Sequence, residues 1–279
     1  MQYIMLAVIL ITYSSCKEEE LPTTPIVGLG GETWEKGAID RWLETEFVTS
    51  YNIEVKYKWD PYELNFARNL VPILEDKVEP VMLAVKNIWI KPYEKVAGAA
   101  FIRRYSPKQF MLAGSSEYND NGTEVLGQAE GGRKIVLLRL NRFNKANKGE
   151  VKQLLHTIHH EFAHILHQTR LYPVEWKALN PQWYTATWFN SSDANAHTQG
   201  LVTAYAKASP DEDFVETVSV LLVFGQPAFD AIINKADVPQ EAKQILRKKE
   251  TMVVDYFNRQ YGIDFRKLQQ ETQAAIATY

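Results

Sequence analysis

Five of the six histidines lie within twelve residues, from His156 to His167, and that stretch has the periodicity of an amphipathic helix. At about 100° per residue, Leu154, Leu155, Ile158, Phe162, Ile165 and Leu166 share one face. His156, His160, His164 and His167 fall in a narrow arc on the opposite face. The outer side of a core helix is normally charged, so an arc of imidazoles facing an apolar stripe calls for something the rings can bind.

Within this helix stands His160-Glu161-Phe162-Ala163-His164, the H-E-x-x-H pattern. Residues i and i+4 are stacked neighbours on a helix, so two imidazoles at that spacing can share one Zn2+ ion. Glu161 lies beside the ligand face, where it can act as a general base without occupying the metal. A five-residue pattern with three fixed positions is common by chance. The amphipathic helix around this one sets it apart from an ordinary histidine-rich polar face. His156 and His167 fit second-shell or surface roles better than ligation.

A catalytic zinc takes three protein ligands and keeps one open position. With a single cysteine, Cys16, thiolate ligation is excluded, as is an intrachain disulfide. Arg170 stands where a third histidine of the longer H-E-x-x-H-x-x-G-x-x-H pattern would be. That leaves His197 and the acidic segment Ser209-Pro-Asp-Glu-Asp-Phe-Val-Glu216, which leads into an apolar helix at 218–224. The acidic segment is the better source. Glu212 and Glu216 are four apart, so one can bind metal while the other orients a ligand histidine. Ser209-Pro210-Asp211-Glu212 also reads as a capping box, in which Glu212 merely caps the helix and Glu216 becomes the ligand. Both assignments stand at this level.

His160–His164 together with Tyr205, Glu212 and Glu216 resembles the Glu-zincin (gluzincin) metallopeptidases, and is especially similar to the anthrax lethal factor catalytic domain group. In that group a tyrosine precedes the glutamate ligand by seven positions and a second acid follows by four. The resemblance implies that Glu212 is the ligand, Glu216 supports a ligand histidine, and Tyr205 donates to the oxyanion. From the residues alone Tyr205 is equally an ordinary half-buried aromatic. The aromatic segment Trp183–Phe189 either lines a substrate cleft or packs between lobes.

At the N-terminus, the apolar run at 3–12 has the length of a signal-peptide core and is too short to span a bilayer. It ends in Ser14-Ser15-Cys16, which resembles a bacterial lipobox with Cys16 as the lipidated residue. Lys17-Glu18-Glu19-Glu20 and a Pro-rich stretch then read as a tether. With this start, the whole chain resembles the Bacteroidetes substrate import-associated zinc metallohydrolase lipoproteins. That implies a cell-envelope lipoprotein of the outer membrane, surface-exposed, beside a SusC/SusD-type importer. The net charge of −3 gives no footprint for nucleic acid.

The expected organisation is a signal peptide at 1–15, a lipidated tether at 16–27, an α/β N-terminal lobe at 28–149 and a helical zinc-binding lobe at 150–279. The fold class is α+β, a zincin-like metallopeptidase. The patterns predict helices over 32–47, 62–76 and 79–97, strands over 52–59, 109–113 and 134–140, and a turn at 118–123. The function expected is hydrolysis of peptide bonds in a peptide or protein substrate. Two readings compete with it: a substrate-capturing lipoprotein that keeps the zinc site without catalysis, and a hydrolase of a non-peptide bond.

Overall fold

The computed structural model describes residues 34–60, 63–64 and 69–279. The signal segment, Cys16 and the tether lie outside the described residues. Helix α1 (Ala38–Leu43) continues as a π-helical turn to Thr49, and β1 (Glu54–Lys56) follows. Helices α2 (Glu75–Ala84), α3 (Lys91–Ala97) and α4 (Ala99–Tyr105) lead to β2 (Gln109–Leu112). Strands β3 (Glu117–Tyr118) and β4 (Glu124–Val125) form a small hairpin around the expected turn, and β5 (Gly127–Glu130) and β6 (Lys134–Leu137) form a second. The remainder is helical: α5 (Lys148–Thr169), α6 (Asp193–Thr198), α7 (Pro210–Val223), α8 (Gly225–Ile233), α9 (Gln240–Tyr261) and α10 (Phe265–Thr278). This is the α+β class that the sequence implies.

The main sheet has the order β1-β2-β6-β5. β1, β2 and β6 are parallel, and β5 joins β6 in antiparallel register at the edge. Parallel neighbours need a crossover, which α2 to α4 provide between β1 and β2. The stretch 75–97 is helical throughout, with a π turn at Val85–Ile90 that buries Ile88, Trp89 and Ile90.

The helix expected over 62–76 does not form at 69–74. Residues 69–74 are extended, and Pro72 bridges Ala113. The Val71 amide donates to Ser115 Oγ (2.9 Å), and Gly114 N donates back to the Val71 carbonyl (2.7 Å). Leu74 N donates to Asn141 Oδ1 (2.7 Å), and α2 starts one residue later. Pro72 removes a helical donor and biases Val71 toward extended backbone, so long-range partners win this segment.

The apolar face of α5 is buried as its periodicity requires. Phe162 meets Trp89 edge-on (5.0 Å between centroids) and Tyr93 likewise (5.2 Å), and Trp89 meets Phe110 of β2 (5.9 Å). Leu155, Ile158, Phe162 and Leu166 are fully buried, each contributing about 1.5–3 kcal/mol relative to exposure. One apolar core runs through these contacts, and residues Gly37–Tyr279 cluster as one compact unit. The imidazole face of α5 is thereby fixed toward α7 and β5.

Candidate metal centre

Two capped helices build the site. Asn147 caps α5, accepting from the Gly149 and Glu150 amides, and Ser209 caps α7, accepting from Glu212 N (3.1 Å) with Pro210 at the first helical position. The capping box expected at Ser209–Glu212 forms only on its serine side. The Glu212 amide serves the cap, while its carboxylate turns to the histidines.

Glu212 Oε2 lies 3.1 Å from His160 Nε2 and 3.3 Å from His164 Nε2. Atoms bound tetrahedrally at about 2.0–2.1 Å from one zinc ion stand about 3.3 Å apart, so these three side chains fit a zinc site. On the other side of the His160 ring, Nδ1 donates to Glu216 Oε1 (2.7 Å), which also accepts from His156 Nε2 (2.9 Å). Thr203 Oγ1 donates to the second Glu216 oxygen (2.6 Å).

Two donor groups close enough to hold a metal therefore share His160: His160–His164–Glu212 and His156–His160–Glu216. Their surroundings separate them. Glu216 is buried, and both its oxygens are taken up by donors at hydrogen-bond distance. Glu216 also borders the cavity that holds Glu161 and Tyr205, but its side chain is 4% exposed against 20% for Glu212, whose oxygen faces the Nε2 atoms of both histidines. The first group suits the ion and the second suits the support of a ligand ring.

The electrostatics follow from this arrangement. Burial disfavours charge on His160, but hydrogen bonds to Glu212 and Glu216 outweigh it and push the ring up to about 10. Burial also opposes ionisation of Glu212, yet His160 and His164 draw it down to about 2. Glu216 is held well below the usual carboxylate range because His156 and His160 overcome its desolvation. Glu161 shifts the other way: burial raises it, partly countered by His160 and His164. A carboxyl raised toward neutrality is better matched to taking and returning a proton.

A pH dependence follows. Without metal, His160 keeps its proton up to about 10, and zinc needs the lone pair that this proton occupies. Binding below that pH must release the proton, so affinity rises with pH, roughly tenfold per unit for each proton displaced. Calorimetric zinc titrations at pH 7 in buffers of different ionisation enthalpy should register proton release; a buffer-independent heat would contradict this account.

Around the centre, Glu161 and Tyr205 line a cavity of about 280 Å³ with Gly127, His156, Thr157 and Trp188. Tyr205 stacks on His160 (5.7 Å between centroids, 23°) and meets Trp188 edge-on (4.7 Å). Burial and the nearby Glu212 and Glu161 carboxylates push its phenol up, so it remains a donor. The segment carrying Trp188 is pinned. Tyr184 OH donates to Asp213 (2.9 Å), which pairs with the fully buried Lys249 (2.5 Å), and Thr185 N donates to Lys207 O. Trp188 thus belongs to the cleft wall. His197 is elsewhere, its Nε2 against the Val202 carbonyl (2.9 Å).

One feature of the site carries no pattern in the sequence, and a second had only helical spacing to hint at it. The first is β5, whose Gly-Gln-Ala-Glu lacks the β-branched residues that mark a strand. It lies so close to α5 that a Cβ on Gly127 would come within 2.3 Å of Thr157 Cγ2 and 3.6 Å of Glu161 Cγ. The second is the pairing of His164 Nδ1 with His167 Nε2 (3.1 Å), which the shared helical arc allowed as a second-shell contact without fixing it.

An α+β fold with a His-His-Glu donor set and a buried glutamate beside it is the arrangement that a zinc-binding metallohydrolase requires. The chain belongs to the family described as "Putative zinc-binding metallo-peptidase", whose model matches residues 32–266. It is similar to a crystallographically solved "putative zinc-binding metallo-peptidase" from Bacteroides caccae ATCC 43185. The two are 32% identical with a TM-score of 0.71, over 86% of this chain and 93% of the other. A search of curated proteins found no match.

Proposed function

We propose that this chain is a zinc-dependent peptidase that acts at the cell envelope, with His160, His164 and Glu212 as metal ligands, Glu161 as general base and Tyr205 as oxyanion donor. One observation carries the reading: Glu161 and the metal donors open onto a cleft bordered by the free edge of β5. Among the described residues β5 pairs with β6 alone, and Gly127, Gln128 and Ala129 line the cleft with His160, His164 and Tyr205. An extended peptide can add to such an edge through main-chain hydrogen bonds. That favours a peptide substrate over other carbonyl compounds.

Zinc, when bound, supplies a Lewis acid that brings the pKa of water toward roughly 7. Glu161 takes the proton of the attacking water and returns it to the leaving amine. The Tyr205 hydroxyl donates to the oxygen that becomes negative in the transition state. Glu216 holds the His160 ring with its Nε2 toward the cleft, and Trp188 holds Tyr205 over that ring. A role limited to substrate capture has no use for a buried carboxyl with a raised pKa at this place. Turnover of a peptide library by the zinc-loaded chain, abolished by chelation and restored by zinc, is the test; a zinc-loaded chain with no turnover of any peptide would sink the reading.

The envelope placement rests on the sequence. Cys16 is proposed to carry lipid and to anchor the chain in the outer membrane, beside a SusC/SusD-type importer. Mass spectrometry of the N-terminus of membrane-purified protein should find lipid on Cys16, and Cys16→Ser should release the protein to the soluble fraction. A wild-type N-terminus cleaved elsewhere and unmodified would refute it.

A further inference from the structure

We propose that His167 is the positioning residue of His164, holding that ring by an imidazole where His160 is held by a carboxylate. The inference rests on the reading of His164 as a zinc ligand. His167 follows His164 by three residues on the same face of α5 and is 4% exposed. Its Nε2 lies 3.1 Å from His164 Nδ1. If His164 Nε2 faces the metal, Nδ1 carries the proton and donates it to His167 Nε2, which fixes the tautomer and the rotation of the ring.

The rest of the His167 environment supports this one bond. The ring packs against Tyr172 (5.4 Å) and Phe214 (6.1 Å), which stack on each other (4.6 Å, 19°). Its other nitrogen, Nδ1, has no partner among the described residues. The orientation of His167 is therefore set by the two aromatic rings and by His164. The two ligand histidines are consequently unlike. Glu216 strengthens His160 as a donor to metal, as a carboxylate partner does. An imidazole accepts the His164 proton without adding negative charge close to Glu212, so His164 is the weaker donor of the pair.

Two substitutions separate this role from packing. His167→Phe keeps an aromatic ring and removes the acceptor; His167→Gln gives up the ring and keeps an acceptor. Zinc affinity is measured by competition with a chromophoric chelator, and the ligand field by the visible absorption of the cobalt(II)-loaded chain. Thermal unfolding of the metal-free proteins checks that each variant folds. The expected result is a zinc affinity lower by about 10–100-fold in His167→Phe, with altered cobalt bands, while His167→Gln keeps wild-type bands and most of the affinity. Wild-type affinity and bands in His167→Phe would overturn the proposal, as would equal losses in both variants. A wild-type chain that binds no zinc would instead remove the metal site, and this role with it.

Discussion

Glu161→Gln is expected to leave zinc bound and to lower peptide turnover by roughly 100- to 10,000-fold, the usual contribution of a positioned general acid–base group. The substitution is nearly isosteric. Glu161 is buried beside the metal donors without being one of them, and burial raises its carboxyl. An amide cannot take the water's proton, so the chemical step should fail while substrate binding along β5 persists. The signature is a fall in kcat with little change in KM, at unchanged zinc content. Turnover that stays within about tenfold of wild type would remove Glu161 from the general-base role.

The second large effect separates the two glutamates of α7. Glu212→Gln should leave the protein largely free of zinc, because the carboxylate oxygen lost is the one poised 3.1 and 3.3 Å from the Nε2 atoms of both histidines. Glu216→Gln should keep much of its zinc, with a loss of about 10–100-fold in affinity or activity. Glu216 meets the opposite nitrogen of His160, and a glutamine can still accept from it. Helix capping does not confuse the comparison, since Ser209 is bonded to the backbone amide of residue 212, which both variants keep. Metal analysis of the two proteins after zinc-replete expression decides the matter, and the reverse order would move the ligand assignment to Glu216.

Much of the candidate metal centre was legible because a helix is a local object. The 3.6-residue period puts His160 and His164 on one face and the apolar stripe on the other, whatever surrounds them. The same rule spaces Glu212 and Glu216 four apart, and the apolar stripes make α5 and α7 pack. Strands and turns with strong patterns were legible on the same ground: 109–112 and 134–137 form as short β-rich runs, and 118–123 turns a hairpin.

Tertiary structure alone decided what depends on partners distant in the chain. Spacing could not say which glutamate faces which nitrogen of His160, because both lie on one helical face. The choice follows from how α7 packs along α5, with Thr203 and His156 reaching Glu216 and leaving Glu212 to the cleft. Residues 69–74 read as helix by period and became extended because Ser115 and Asn141, far along the chain, offer their backbone amides better partners. β5 has weak strand propensity and exists because β6 pairs with it and Gly127 lets it approach α5. A periodic pattern records which face a residue occupies. Only the packed chain determines what that face meets, since hydrogen bonds and close contacts between distant segments form jointly with the core.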